Sequence, residues 1–149
     1  MRKLQKIIEL YKKYEEIVNY LIFGVLTTVV SLATKYLLLF TILDAKNSIQ
    51  LQIAVIVSWI TACTFAYVTN RIWVFKSKSK NILKEAISFF AARLATLGLE
   101  MLIMFVFVTA LGLNSNLWVI VWTLVSQVII IIGNYVLSKL LVFKKEKKE

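Results

Sequence analysis

Three ionisable side chains, Lys35, Arg93 and Glu100, stand inside long apolar stretches of the chain. A charge at the centre of a bilayer costs about 2.5 to 3.5 kcal/mol on insertion scales, so each needs a partner, a wet cavity or a ligand. Arg93 and Glu100 are seven residues apart. On a helix that spacing puts them on one face, two turns and roughly 10 Å apart. Lys35 lies about as deep in its own stretch as Glu100 does, so an intramembrane ion pair, Lys35 with Glu100, is expected in the outer half. As architecture alone, such a pair neutralises itself and holds helices together. Arg93 is harder to dismiss, because the nearest spare carboxylate, Glu85, is two turns back and near the surface. A guanidinium so placed faces an anion or a wet cavity. Asn70 and Arg71 on one stretch, and Asn134, Ser138 and Lys139 on another, fall at a similar inner depth. Guanidinium offers a planar fork to phosphate and amides add neutral donors, which suits the headgroup of an anionic lipid or a lipid-linked substrate. The competing reading leaves Arg71 and Lys139 as snorkelling residues and Asn70 and Asn134 as interhelical partners, a role also expected of Gln127, Ser126 and Thr28.

The elements that position these residues follow from composition. Of 149 residues 60% are hydrophobic and 17% charged, and the mean hydropathy is +0.79, more apolar surface than a soluble domain this size can hide. The fold class is an all-α integral membrane protein. There is no His, one Cys and a single Asp, which argues against a metal cluster, a disulfide framework and a His-based triad. No cofactor, metal or catalytic residue is expected, and an enzyme is the least favoured class because nothing supplies a nucleophile with a base. Four spans are expected at about 17–43, 49–74, 86–111 and 117–142, each longer than the ~20 residues that cross a bilayer core. DAKNS (44–48) and GLNSN (112–116) are the turns of two tight hairpins, and the basic segment KSKSKNILKE (76–85) joins them, with Ser79 or Asn81 as a helix cap. Residues 1–16 place Leu4, Ile7, Ile8, Tyr11 and Tyr14 at helical spacing among lysines, so an amphipathic interfacial helix is expected ahead of a single transmembrane domain, 17–149.

Positive charge orients the spans. Five Lys or Arg lie in 1–16, five in 71–84 and five in 139–148, against Lys46 alone on the hairpin turns. Both termini and the middle loop are therefore expected to be cytoplasmic. The formal charge of +10 needs no nucleic acid; a basic belt that sets topology and touches anionic lipid accounts for it. The chain also repeats itself. Tyr67, Val68, Val74, Phe75 and Lys76 return 68 positions later as Tyr135, Val136, Val142, Phe143 and Lys144, and an offset of 69 pairs Tyr20 with Phe89, Gly24 with Arg93 and Thr27 with Thr96. Two parallel two-helix repeats are expected.

The YLIFG opening of span one, the NRIWVF end of span two, the FFAAR opening of span three and the NYVLSKLLVF end of span four together resemble the GtrA-like family of bacterial membrane proteins, closest to Gram-positive members. The resemblance covers nearly the whole chain. It implies a multi-pass protein of the bacterial cytoplasmic membrane that moves a polyprenyl-phosphate-linked sugar outward for glycosylation of teichoic acid or another surface polysaccharide, with membrane glycosyltransferases as partners. The family pattern falls on Ala66, Asn70, Val74, Phe75, Phe89, Arg93 and Asn134, whereas Lys35 departs from it. Two other classes stay open: a non-transporting subunit that scaffolds a glycosyltransferase, and a small cation or drug exporter, against which Arg93 at depth argues. With only four spans to enclose a groove, a homo-oligomer is expected, and Gly24, Thr27, Thr28 and Ser31 permit close helix approach.

Overall fold

The structure, a computed structural model, describes residues 2–44, 46–113 and 115–143. In a bilayer each backbone polar group must be satisfied within the chain, and apolar runs of this length meet that demand as helices. Helix α1 (Arg2–Thr41), α2 (Ser48–Thr69), α3 (Ile82–Met104) and α4 (Asn116–Leu137) account for the chain, with no strand among the described residues. Four stretches, Tyr11–Thr41, Ser48–Val74, Ile82–Ala110 and Asn116–Val142, are long and apolar enough to cross a membrane. The third begins at residue 82, ahead of the expected 86, because the helix start is fixed by a cap. Asn81 Oδ1 accepts from the Lys84 N–H at 3.3 Å, and Ser79 Oγ accepts from the Asn81 N–H at 3.3 Å. Asn47 caps α2 in the same manner, accepting from the N–H groups of Ile49 and Gln50 at 3.0 and 3.3 Å. These side chains satisfy donors that a helix start leaves without a partner.

α1 contains one break, at Tyr14 (φ −114, ψ 15), close to the expected boundary between interfacial helix and span. Tyr11 Oη donates to Asn19 Oδ1 across it at 3.2 Å. The amphipathic face expected over 1–16 involves side chains, those of residues 1–8 and Leu10, that lie outside the described ones, as do Ala45, Asn114 and the basic tail from Lys144 onward.

Three helices end by widening into π-helical turns, Asn70–Val74, Phe105–Ala110 and Ser138–Val142. In each the closing N–H reaches back five residues: Phe75 to Asn70, Leu111 to Val106 and Phe143 to Ser138, at 2.8, 3.0 and 2.8 Å. Such turns often mark functional positions. Past the first of them Lys76 takes a left-handed backbone (φ 49), which costs a residue with a Cβ about 1 to 2 kcal/mol. Its neighbour Ser77 donates to the Arg71 carbonyl at 2.9 Å, and its own ammonium bonds Glu15 at 2.8 Å. That hydrogen bond, with the attraction of the Glu15 charge, holds the Lys76 amine above its ordinary value of 10.5.

The chain divides into two compact units, Met1–Ser77 and Lys78–Glu149. In the first, α1 packs on α2; Tyr20 and Phe75 meet with ring centroids 6.4 Å apart and Phe23 stacks on Trp73 at 5.4 Å. In the second, α3 packs on α4; Phe89 and Phe143 meet at 5.9 Å and Phe107 stacks on Trp122 at 3.6 Å. Leucines, isoleucines and valines dominate the exposed surface of every helix, as lipid requires.

Candidate functional site

The second unit carries the arginine. Arg93 lies eleven residues into α3, roughly 16 Å along the axis from its start. Side chains on a helix lean toward its N-terminus, and Arg93 does so: its guanidinium carbon sits 4.8 Å from the centre of the Phe89 ring, one turn back. Phe89 is fully buried, so it is a fixed platform. Among the described residues of its unit Arg93 has no carboxylate partner. The half-buried cation keeps its fork of N–H donors open, with the ring's π face as its support.

One turn further along α3, Thr96 Oγ1 donates to Asn134 Oδ1 on α4 at 2.9 Å. The same hydroxyl lies 3.0 Å from the Arg93 carbonyl and 3.2 Å from that of Ala92. It has one proton, so these bonds are alternatives. Asn134 is buried and accepts through its amide oxygen, so its N–H donors take no part in this bond. Next along the same face, Glu100 Oε1 accepts from Gln127 Nε2 at 2.7 Å. Gln127 thus joins α3 to α4, as expected of it. Ser126 and Thr28 do not act as interhelical links of this kind: their hydroxyls return to their own helices, to the Thr123 carbonyl at 2.8 Å and the Gly24 carbonyl at 3.3 Å. At the far end of α4, Lys139 Nζ donates to Tyr135 Oη at 3.0 Å and lies over that ring at 5.2 Å.

The first unit places Asn70 at the start of its π turn, buried, with Oδ1 lacking any hydrogen-bond partner among the described residues. Arg71 reaches the Tyr67 hydroxyl at 3.4 Å, a weak version of the Lys139–Tyr135 contact. Ala66, Val74 and Phe75 are buried. Lys35 is half-buried, with its ammonium 6.0 Å from the Tyr36 ring centre. It belongs to the first unit and Glu100 to the second. Within the second unit Glu100 is served by Gln127.

Sequence reasoning missed three participants. Thr96 entered only as a match to Thr27, and its signal would have been a hydroxyl three residues beyond an arginine in an apolar run. Tyr67 and Tyr135 were seen as repeat positions, yet each lies four residues before the basic residue it contacts, one helical turn. Glu85 was expected near the membrane surface, and it stands in the first turn of α3, 4% exposed, where a carboxylate gains from the positive end of the helix dipole.

Four helices of membrane-crossing length, with polar bonds joining α3 to α4, define an integral membrane protein. The chain belongs to the GtrA/DPMS transmembrane-domain family, whose sequence model matches residues 19–143. Among curated relatives it is 36% identical to the uncharacterized membrane protein YwcD of Bacillus subtilis, over 87% of this chain and 98% of that protein. It is 36% identical to the cell wall teichoic acid glycosylation protein GtcA of Listeria innocua, over 88% of this chain and 86% of that protein. For the protein of that name in Listeria monocytogenes serovar 1/2a the identity is 31%, over 99% and 100%. No solved structure matches the chain significantly.

Proposed function

We propose that this protein moves a polyprenyl-phosphate-linked monosaccharide across the bacterial cytoplasmic membrane, supplying sugar to glycosyltransferases that decorate a cell-wall polymer of the teichoic acid class. The observation that carries this reading is Arg93: a guanidinium inside a span, held on Phe89, with no carboxylate partner in its unit among the described residues. A lipid phosphate satisfies such a fork with two parallel hydrogen bonds. In the second unit the Asn134 amide adds neutral donors, and Lys139 draws anionic headgroups toward the end of α4. In the first unit Asn70 and Arg71 supply an unmet acceptor and a second guanidinium, suited to the hydroxyl and phosphate groups of the same class of lipid. Ala66, Val74, Phe75 and Phe89 hold these groups in place by packing. The relatives named for teichoic acid glycosylation support the choice of polymer.

In this reading both termini and the 76–85 segment face the cytoplasm. Cysteines at Asn47 and Ser115 then react with an impermeant thiol reagent in intact cells and one at Ser79 does not; labelling at Ser79 reverses the orientation. The phosphate role is tested by Arg93→Ala at matched protein abundance. Polyprenyl-phosphate sugar should accumulate while polymer glycosylation is lost, and Arg93→Lys, which keeps charge without the planar fork, should fall between. Normal glycosylation in Arg93→Ala removes the headgroup role and favours a subunit that scaffolds the glycosyltransferase.

A further inference from the structure

We infer that Glu100 and Gln127 recognise the sugar, binding hydroxyls of the monosaccharide whose phosphate Arg93 takes; this rests on the phosphate reading above. Their side chains are joined by the 2.7 Å bond from Gln127 Nε2 to Glu100 Oε1, and among the described residues neither makes another hydrogen bond or an ion pair. After that bond, one carboxyl oxygen, the amide oxygen and one amide N–H remain unmet. Two acceptors and a donor are thus presented together in a stretch whose neighbours, Met101, Leu102, Leu124 and Val128, are exposed hydrophobics. Adjacent hydroxyls of a pyranose ring supply the complement, two O–H donors and an oxygen acceptor.

A bond needed only to hold α3 against α4 is met more cheaply by two amides, because a carboxyl is among the most expensive groups to carry at bilayer depth. Its presence calls for a ligand that repays it. The spacing fits one sugar: Arg93 and Glu100 lie on a single face of α3, seven residues and roughly 10 Å apart along the axis. A phosphate held at one end, a hexose ring beyond it and a hydroxyl hydrogen-bonded at the other end occupy that interval. The Thr96–Asn134 bond lies between them on the same face, so polar groups line the whole length.

The test uses the purified full-length protein in lipid nanodiscs, titrated with short-chain polyprenyl phosphate, either bare or carrying glucose, galactose or N-acetylglucosamine. The wild type should bind at least one sugar-bearing lipid about tenfold more tightly than the bare phosphate, the size expected of one or two hydrogen bonds to a charged group. Glu100→Gln and Gln127→Met should each bring that lipid close to the bare one while leaving bare-lipid affinity unchanged, which also shows that the variants are folded. Absence of any sugar preference in the wild type overturns the inference, as does a preference that survives both substitutions. Loss of bare-lipid binding in both variants assigns the pair to folding and overturns it too. Arg93→Ala separates the two readings: weaker binding of every lipid upholds the phosphate role, and unchanged binding removes that role whatever Glu100 and Gln127 do.

Discussion

In the first unit Phe75 packs on Tyr20 with centroids 6.4 Å apart and ring planes at 57°; in the second Phe143 packs on Phe89 at 5.9 Å and 55°. Each of these closing phenylalanines ends a π turn by donating its N–H to the carbonyl five residues back at 2.8 Å. Tyr67 and Tyr135 contact the basic residues Arg71 and Lys139 that follow them by one turn. The differences lie deeper. At the offsets read from the sequence, Arg93 stands where the first unit has Gly24 and Asn134 where it has Ala66. The hydroxyl of Thr27 bonds the Phe23 carbonyl of its own helix at 2.7 Å, whereas Thr96 also crosses to Asn134. The two helix pairs therefore share this aromatic packing and these closing bonds but differ in polar content: the second unit adds Arg93 and the Thr96–Asn134 bond, the groups on which the proposed function chiefly draws.

The largest effect should come from the shared framework. Phe75→Ala and Phe89→Ala each remove a buried ring, at about 3 to 5 kcal/mol, and both should lower the thermal midpoint in detergent to a similar extent. Only Phe89→Ala also removes the platform under Arg93, so at matched folded protein it alone should weaken lipid-phosphate binding in addition. A large loss in one clasp and none in the other would break the comparison.

A smaller effect concerns the charge that each unit carries at depth. The Lys35–Glu100 pair expected from the sequence is a rival to the sugar role of Glu100: as a pair, Glu100→Gln lowers stability and adding Lys35→Met recovers it, whereas the sugar role leaves both variants as stable as the wild type. Equal loss in single and double variants would leave Gln127 as the partner of Glu100. Smaller still is the threonine contrast. Thr96→Val should cost about 0.6 to 1.7 kcal/mol, the range for interhelical hydrogen bonds in membranes, and Thr27→Val should stay within about 0.5 kcal/mol. Chemical denaturation of the two variants side by side would measure the difference, and equal costs would mean that the Asn134 bond adds nothing.

The least effect belongs to Glu15 and Lys76 at the membrane surface. Because the Lys76 amine is raised above 10.5 when paired, the stabilisation is fully present below that ordinary value and is lost as pH rises through the higher folded value. A tether of the N-terminal helix scored by Glu15–Lys76 crosslinking of cysteine-flanked variants should therefore be constant from neutral pH to about pH 10 and weaken beyond it. A decline already at pH 8 would contradict this.

Much of the architecture was legible because its signals are local. Asn81 announces a helix start by a side chain that reaches its own backbone, DAKNS and GLNSN mark the turns, and the lengths of the apolar runs mark the spans. Arg93 was legible as a problem, a charge with no acid nearby. What it rests on was not, since hydropathy leaves the rotation of a helix open when lipid makes every face apolar. That rotation is what brings Gln127 to Glu100 and Thr96 to Asn134. The π turns were equally hidden: nothing in residues 70–74 or 138–142 distinguishes a closure over five residues from one over four, and Phe75 and Phe143, which close those turns, also pack on Tyr20 and Phe89.

Transport itself is measured most directly in vesicles reconstituted with the purified protein and a fluorescent polyprenyl-phosphate sugar, by following how fast the inner-leaflet pool becomes available to an external reagent that destroys the sugar. The account predicts rapid exposure of both leaflets with the wild type and, with Arg93→Ala, exposure no faster than in protein-free vesicles. Wild-type vesicles that retain a protected inner pool as long as protein-free ones do would contradict translocation and leave the protein as a membrane partner of the glycosyltransferases.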